Sequence, residues 1–215
     1  MAKAGKPNVA ALVRAARAYD DNLMGRIFLV IGIGRHGDVE YIEIRFSKGN
    51  FQHLTGAKTR TSGMAPDEFF DRCVESRLAE ADLDADARGY VALKLRAAKQ
   101  LFAPGLPVAS FGTGNSSHLL LSADRIAGGK AGVLGLKLIA DGAHVPITML
   151  DANIRDEGTD LHDVVAVFSK RFGEAGYGNP EFTRDKAMGS PVDWDTVRDA
   201  LPSGLEGLRL PCSAG

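Results

Sequence analysis

The segment from Arg26 to Phe46 constrains the fold most strongly, because its glycines support two incompatible interpretations. Arg26–Ile33 is rich in Ile, Leu, Val and Phe, which is typical of a buried strand, and Gly32–Gly37 matches the pattern GxGxxG. That pattern holds a dinucleotide only when a helix begins in the same loop. Residues 38–46 instead alternate between apolar and polar side chains, which predicts a second strand. We therefore predict a β-hairpin and reject a Rossmann site.

Three helices are predicted around this hairpin from their end signals and apolar spacing. Asn8 can cap a helix over residues 8–24, and Pro66, followed by two acids, can open a second helix over residues 66–80. A third helix is predicted over residues 88–102, because Pro104 and Gly105 follow it. The first two of these helices flank the hairpin in the sequence.

After Pro107 the sequence changes to short strand-like runs separated by glycine-rich turns. Asp141-Gly142 between two such runs is a good hairpin signal. Helices followed by a run of antiparallel strands predict an α+β fold. The predicted strands cover residues 108–111, 117–123, 131–140, 145–150 and 163–170.

The chain has 215 residues, a length that suits one domain with appendages or two small domains. We expect a single α+β domain over residues 1–178. Residues 179–215 are predicted to form an acidic, partly ordered C-terminal tail with one short helix over about 192–201, anchored by Trp194.

Charge is distributed unevenly along the chain. The net charge is −1 overall, yet residues 1–140 carry +5 and residues 141–215 carry −6. A basic body is compatible with RNA binding, although a solvated surface explains it nearly as well. The two distant cysteines fit a reducing compartment, and no apolar run approaches the ~20 residues needed to cross a bilayer. We therefore expect a cytoplasmic protein without membrane contact.

Several enzyme classes lack sequence support. The five histidines show no metal-ligand spacing, and the sequence contains no HExxH, GxxxxGK[ST] or GxSxG motif. These observations disfavour a metal enzyme, a nucleoside triphosphatase and a serine hydrolase. We expect no metal site and no cofactor.

The segment from Phe46 to Lys58 is the best candidate for chemistry, and it is expected to be a loop. No Asp or Glu occurs between Ile44 and Pro66, whereas His53, lysines and arginines do. An electropositive segment with a titratable imidazole could hold an anionic substrate. The alternative is that His53 packs beneath the loop and the lysines are ordinary surface charges.

Metal-free RNA cleavage needs few groups: a base, cations that stabilise the pentavalent phosphorane, and an acid. His53 could serve as base or acid, with Lys58, Lys94 and Arg155 as charge stabilisers. The alternatives are that Lys94 is a solvated helix charge and that Arg155 pairs with Asp151 or Asp156.

Two motifs carry a resemblance to a known family. Residues 51–56 read FQHLTG and residues 145–155 read VPITMLDANIR. They resemble the F-x-H-L-x-G and V-P-N-T-x-L-x-x-D-I-R segments of the phage-encoded barnase–EndoU–colicin–RelE-like nuclease domains. The resemblance covers roughly residues 8 to 178. Ile147 and Asn153 depart from it, because the family usually has asparagine and aspartate at these positions.

The resemblance implies an α+β fold of the barnase/RelE type. In that fold the N-terminal helix, the hairpin and two further helices pack on a small antiparallel sheet of about four strands. It also implies metal-independent ribonuclease activity, an inference that rests on the fold. By motif position the residues to carry over are His53, Thr55, Thr148 and Arg155. Lys58 and Lys94 are added as substrate-binding residues by the charge argument.

We therefore expect a ribonuclease toxin or effector of a phage or mobile element, acting on RNA in the cytoplasm of a bacterial host. An alternative keeps the fold without catalysis, as an anti-defence inhibitor that binds a host defence protein, an antitoxin or nucleic acid. A third, weaker option is a transferase that acts on a nucleotide-derived substrate in the same pocket.

Overall fold

The computed structural model describes residues 7–60, 63–85, 89–115, 122–205 and 207–212. Six α-helices occur within these ranges: α1 Val9–Asn22, α2 Lys48–Thr55, α3 Pro66–Val74, α4 Tyr90–Leu101, α5 Ile154–Glu157 and α6 Trp194–Asp199. None of the helices in the described part is long and apolar enough to cross a membrane.

The predicted end signals of the first two helices are confirmed. The Asn8 side chain accepts a hydrogen bond from the Ala11 amide at 3.0 Å, so it caps α1. Pro66 is the first residue of α3, with Asp67 and Glu68 beside it. Helix α3 ends at Val74 rather than near residue 80 as predicted, because Ser76 takes a left-handed conformation with φ 57°.

Ten strands occur in the same ranges, and eight of them form one sheet. In chain order they are β1 Arg26–Ile33, β2 Val39–Arg45, β3 Ser110–Gly114, β4 Arg125–Gly128, β5 Val133–Leu138, β6 His144–Leu150, β7 Gly158–Arg171, β8 Pro180–Thr183, β9 Lys186–Ala187 and β10 Ser190–Pro191. The last two pair only with each other.

Both predicted hairpins are present. β1 pairs antiparallel with β2 from Ile27↔Arg45 to Ile33↔Val39, and the glycines of the GxGxxG pattern lie in β1 and the turn that follows it. Gly37 has φ +82°, a left-handed conformation that favours glycine. Gly142, with φ +87°, lies in the turn between β5 and β6. No helix follows β1, so the Rossmann interpretation is excluded.

The prediction of a small four-stranded antiparallel sheet is wrong. The strand order is β1-β2-β6-β5-β4-β3-β7-β8, and β7 also pairs with β1, so seven strands form a closed barrel and β8 is an extra strand. The sheet is mixed because β2 and β6 pair in parallel at Ile44↔His144, whereas the other neighbouring pairs are antiparallel.

The length of strand β7 explains why the sheet closes into a barrel. It has 14 residues, long enough to pair with β1 along one edge and with both β3 and β8 along the other. Its pairing with β3 and with β1 is interrupted by register shifts, and such irregularities bend a sheet and increase its twist. Local hairpin signals in the sequence carry no information about these long-range pairings.

The two faces of β1 and β7 support different clusters. Phe28 and Val30 point towards the main core, which also contains apolar residues of α1 to α4. Leu29 and Ile31 point the other way and pack with Trp194 and other apolar residues of the C-terminal segment. This alternation is the period of two expected of a strand that is covered on both sides.

Further differences from the sequence predictions are local. The segment 46–58, predicted to be a loop, contains α2. The strands β4 and β8 were not predicted, because each has only four residues and gives too short a signal. Most of the predicted strand over 117–123, including His118, lies outside the described residues. The short helix anchored by Trp194 is confirmed as α6.

Candidate functional site

Helix α2 presents the FQHLTG motif with its apolar side inwards. Phe51 and Leu54 are fully buried in the main core, whereas His53 is exposed. Gly56 ends the helix in a left-handed conformation with φ 67°. The motif therefore combines two anchoring side chains with an imidazole that faces solvent.

The start of α2 is fixed by a local hydrogen-bond motif. The Ser47 amide and the Ser47 hydroxyl each donate to Asn50 Oδ1, at 2.8 Å in both cases. The bond from the Ser47 amide is the one that the third helical residue accepts in a capping box, here with asparagine in place of the more common glutamate or glutamine. It explains why a glycine-containing and basic segment is helical.

The two motifs that carry the family resemblance lie against each other. Asn50 of α2 donates through Nδ2 to the carbonyl oxygen of Pro146 in β6, at 3.2 Å. By motif position the family resemblance groups His53 with Thr148 and Arg155, and this hydrogen bond brings the helix that contains His53 against the strand that contains Thr148. Thr148 lies two residues beyond Pro146 and is half-buried.

Lys94 links the two segments. Its Nζ donates to the Thr148 hydroxyl at 3.2 Å and to the His53 carbonyl oxygen at 3.3 Å. Gly56 gives the lysine room, because a Cβ at that position would lie 3.2 Å from Lys94 Cδ. We call the group formed by His53, Lys94 and Thr148 the lysine cluster.

The electrostatic environment of Lys94 is unusual for a helix lysine. Burial lowers the pKa of its ammonium group. Among the described residues, no Asp or Glu lies within ion-pair distance of it; the neighbouring Arg96 pairs with Asp151 at 2.7 Å. Lys94 is therefore a cation that donates two hydrogen bonds to neutral oxygens and keeps a third N–H available.

The remaining predicted residues are placed differently. Thr55 is fully buried, and its hydroxyl donates to the Gln52 carbonyl oxygen at 3.1 Å. Lys58 is exposed just beyond α2. Arg155 is exposed on α5 and lines a cavity whose lining residues do not include His53, Lys94 or Thr148.

That cavity contains a histidine–carboxylate pair that sequence reasoning missed. His162 Nε2 lies 2.6 Å from Asp38 Oδ2, and the hydrogen bond from the imidazole lowers the pKa of Asp38. The imidazole is buried and stacks on Phe111, with ring centroids 5.4 Å apart. The two residues are 124 positions apart, and the pairing of β1 with β7 brings them together.

Asn153, one of the two departures from the family pattern, has a visible structural role. Its Oδ1 accepts a hydrogen bond from the Arg155 amide at 3.2 Å, so it caps α5. An aspartate could make the same bond. Within the described ranges, no group of three or more His, Cys, Asp or Glu side chains is arranged to hold a metal ion.

Comparisons with curated proteins and with solved structures found no match. A comparison with family models found one over most of the chain, residues 11–183, which include most of α1, both motifs and β7. The chain therefore belongs to the family described as phage-Barnase-EndoU-ColicinE5/D-RelE like nuclease4, PBECR4.

Proposed function

We propose that the protein is a metal-independent ribonuclease and that the lysine cluster is its active site. The observation that carries the proposal is the position of Lys94 Nζ, which donates hydrogen bonds to Thr148 Oγ1 and to the His53 carbonyl oxygen. This arrangement fixes an ammonium group between the two family motifs, next to the backbone of the residue that carries an exposed imidazole. A cation held in place before substrate arrives can stabilise developing negative charge without reorganisation.

The reaction would follow the usual course of metal-free RNA cleavage. The His53 imidazole accepts the proton of the 2′-hydroxyl, whose oxygen attacks the adjacent phosphorus. The Lys94 ammonium stabilises the phosphorane and then donates a proton to the leaving 5′-oxygen. The products are a 2′,3′-cyclic phosphate and a 5′-hydroxyl end. Solvent then accepts the proton from the His53 imidazolium and reprotonates Lys94, so both groups return to their starting states.

The environment of Lys94 suits this second role. Burial lowers the pKa of the ammonium, so the group gives up a proton more readily than a surface lysine does. Thr148 acts as a positioning residue, because its hydroxyl accepts a hydrogen bond from Nζ. Thr55 is assigned a structural role here, since its hydroxyl is already bonded to the Gln52 carbonyl oxygen.

RNA would approach across the end of α2. Lys58 lies exposed there, and the described residues between Ile44 and Pro66 include no acid. Such a surface attracts the phosphate backbone, and the attraction weakens as salt is added. Arg155 is left out of the reaction because it lines a different cavity.

The biological role proposed is that of an effector carried by a phage or mobile element, which acts on RNA of the bacterial host. The family membership supports the phage association and the nuclease-like character. The alternative of an inactive protein that binds a host factor would remain if the folded chain cleaves no RNA.

The chemistry can be tested with two matched substrates and two variants of Lys94. An RNA oligonucleotide should be cleaved, whereas its 2′-O-methyl counterpart should be bound and left intact, because it lacks the nucleophile. Lys94→Met should reduce cleavage by about 10²–10⁴-fold, and Lys94→Arg should restore only part of it, because arginine keeps the charge and holds its proton. Lys99→Met on the exposed face of α4 is the control. Cleavage of the 2′-O-methyl strand, or full activity of Lys94→Met, would contradict the mechanism.

A further inference from the structure

A second cavity lies away from the lysine cluster, between the β1–β2 turn, α5 and the start of β7. Its volume is about 550 Å³, which is in the range of small-molecule sites. Leu161 and Met188 contribute apolar side chains to its wall, and Met188 is partly exposed. The cavity is therefore large enough for a ligand with one flat ring and a polar group.

The backbone around this cavity is irregular. The pairing of β1 with β7 shifts register at Ile31/Gly32, and the pairing of β3 with β7 shifts between Phe111 and Thr113. Asp160, in the cavity wall, has φ 49°, an uncommon conformation for a residue other than glycine. Bulges and strained residues are enriched at binding sites, where they redirect side chains.

Two of the three carboxylates in the wall are already hydrogen-bonded within the protein. Asp38 bonds to His162 at 2.6 Å. Asp163 accepts from the Ser110 hydroxyl at 3.2 Å and from the Met188 amide at 3.1 Å. The third, Asp160, is exposed, and its carbonyl oxygen lies 3.1 Å from His162 Nδ1. The carboxylates of Asp38 and Asp163 are thus already engaged by donors of the protein itself.

The two arginines and the exposed histidine of the wall have no such partners. Arg35, His36 and Arg155 are exposed and line the cavity. Within the described ranges, no carboxylate lies within ion-pair distance of any of the three side chains. The charged or titratable groups of the wall that lack a partner among the described residues are therefore two guanidinium groups, one imidazole and the Asp160 carboxylate, and the N–H donors outnumber the carboxylate oxygens.

We propose that this cavity is a mononucleotide-binding site that takes the ligand by its phosphate monoester. Arg35 and Arg155 would bind the phosphate oxygens, since the planar guanidinium fork matches phosphate geometry. The nucleoside ring would lie against Leu161 and Met188. This site is separate from the proposed active site, and it requires no cleavage of RNA.

Isothermal titration calorimetry of the full chain tests the proposal. Each of the four nucleoside 5′-monophosphates and each matching nucleoside is titrated at low salt. At least one monophosphate should bind. Its affinity should be at least about tenfold higher than that of the matching nucleoside, because the nucleoside lacks the phosphate that accepts charge-assisted hydrogen bonds. Arg35→Gln and Arg155→Gln should each weaken binding of the monophosphate by about tenfold and leave binding of the nucleoside unchanged.

Two controls separate this site from the proposed active site. Arg60→Gln removes an exposed arginine outside the cavity and should leave binding unchanged. His53→Ala should also bind the monophosphate as the wild type does, whether or not RNA cleavage is observed. Absence of binding by all four monophosphates would overturn the proposal, as would binding of the monophosphate by both Arg35→Gln and Arg155→Gln as tightly as by the wild type.

Discussion

Lys94 stands out at the scale of single residues because burial makes its charge costly. The ammonium group is partly removed from water, and the described residues offer it hydroxyl and carbonyl oxygens but no carboxylate. Desolvation of a charge that lacks a counter-ion destabilises the folded state. A lysine at such a position is typical of a site selected for function at the expense of stability.

The first prediction follows from this cost. Lys94→Met keeps the length and the apolar stem of the side chain and removes the charge. We expect the melting temperature of the variant at pH 7 to equal or exceed that of the wild type, while RNA cleavage is lost. Differential scanning calorimetry beside a cleavage assay checks this. A marked drop in melting temperature would mean that Lys94 is mainly a structural residue.

His144 is a second single residue of interest, because its protonation makes the stability of the fold depend on pH. It lies at the parallel bridge between β2 and β6, it is 8% exposed, and its Nδ1 has no hydrogen-bond partner among the described residues. Burial lowers the pKa of this imidazole, although a hydrogen bond to the Glu43 carbonyl opposes the effect.

The second prediction uses the sign of that shift. Because the folded-state pKa of His144 lies below the unfolded value of about 6.5, the unfolded chain binds more protons as pH falls through this range. Stability is therefore lost in mild acid. His144→Leu should lose less stability than the wild type between about pH 7 and 5. Thermal unfolding across this range, with exposed His36→Leu as control, measures the difference. Identical pH profiles for His144→Leu and the wild type would contradict the prediction.

At the scale of elements, the C-terminal segment is an integral cover of the sheet. Trp194 and Val197 of α6 are buried against Leu29, Ile31 and Phe168, which lie on the face of β1 and β7 that points away from the main core. Without this segment, those strand residues would be exposed.

The third prediction is that Trp194→Ala destabilises the whole domain. Truncation of a buried tryptophan costs about 3–5 kcal/mol, through lost transfer free energy and the cavity left behind. Urea unfolding followed by far-ultraviolet circular dichroism measures the loss of free energy of unfolding. Phe172→Ala, at a partly exposed aromatic residue, is the control and should cost much less. A cost below about 1 kcal/mol for Trp194→Ala would mean that α6 contributes little to stability.

Local signals predicted the elements far better than their pairing. Asn8, Pro66 and Gly142 each act within a few residues, so the helix starts and the hairpin turn could be predicted. Ser47 and Asn50 also form a local cap, but the surrounding glycine and charged residues concealed it.

Long-range contacts account for what was missed. The closure of the sheet depends on β7 pairing with β1, more than a hundred residues away, and on a single parallel bridge between β2 and β6. The same limit applies to the site. The family motifs grouped His53 with Thr148 and Arg155, but they could not show that Arg155, seven residues after Thr148, lies in the cavity with His162.

At the scale of the whole molecule, the main core joins the helices to the closed sheet. It includes Tyr19, Phe51, Phe70 and Phe102, whose rings pack at centroid distances of 5.1 to 5.7 Å around Tyr19. Cys73 of α3 lies in the same core, and burial raises the pKa of its thiol to about 12. Cys212 is exposed near the C-terminus.

The fourth prediction uses these two thiols as reporters of core closure. Only the thiolate reacts readily with disulfide reagents, so the buried Cys73 should be protected while the core is closed. Ellman's reagent should titrate one thiol in the native protein and two in denaturant. Cys212→Ser should show no fast-reacting thiol before unfolding. Rapid reaction of Cys73 in that variant would show that the core opens under native conditions.

The measurement that tests the central claim most directly is RNA cleavage in excess EDTA by the wild type and by His53→Ala, side by side. The wild type should cleave RNA, leaving 2′,3′-cyclic phosphate ends. His53→Ala should keep its melting temperature, because the imidazole is exposed, and lose about 10²–10⁴-fold in rate. Undiminished cleavage by His53→Ala, or a folded wild type that cleaves no RNA under these conditions, would contradict the account.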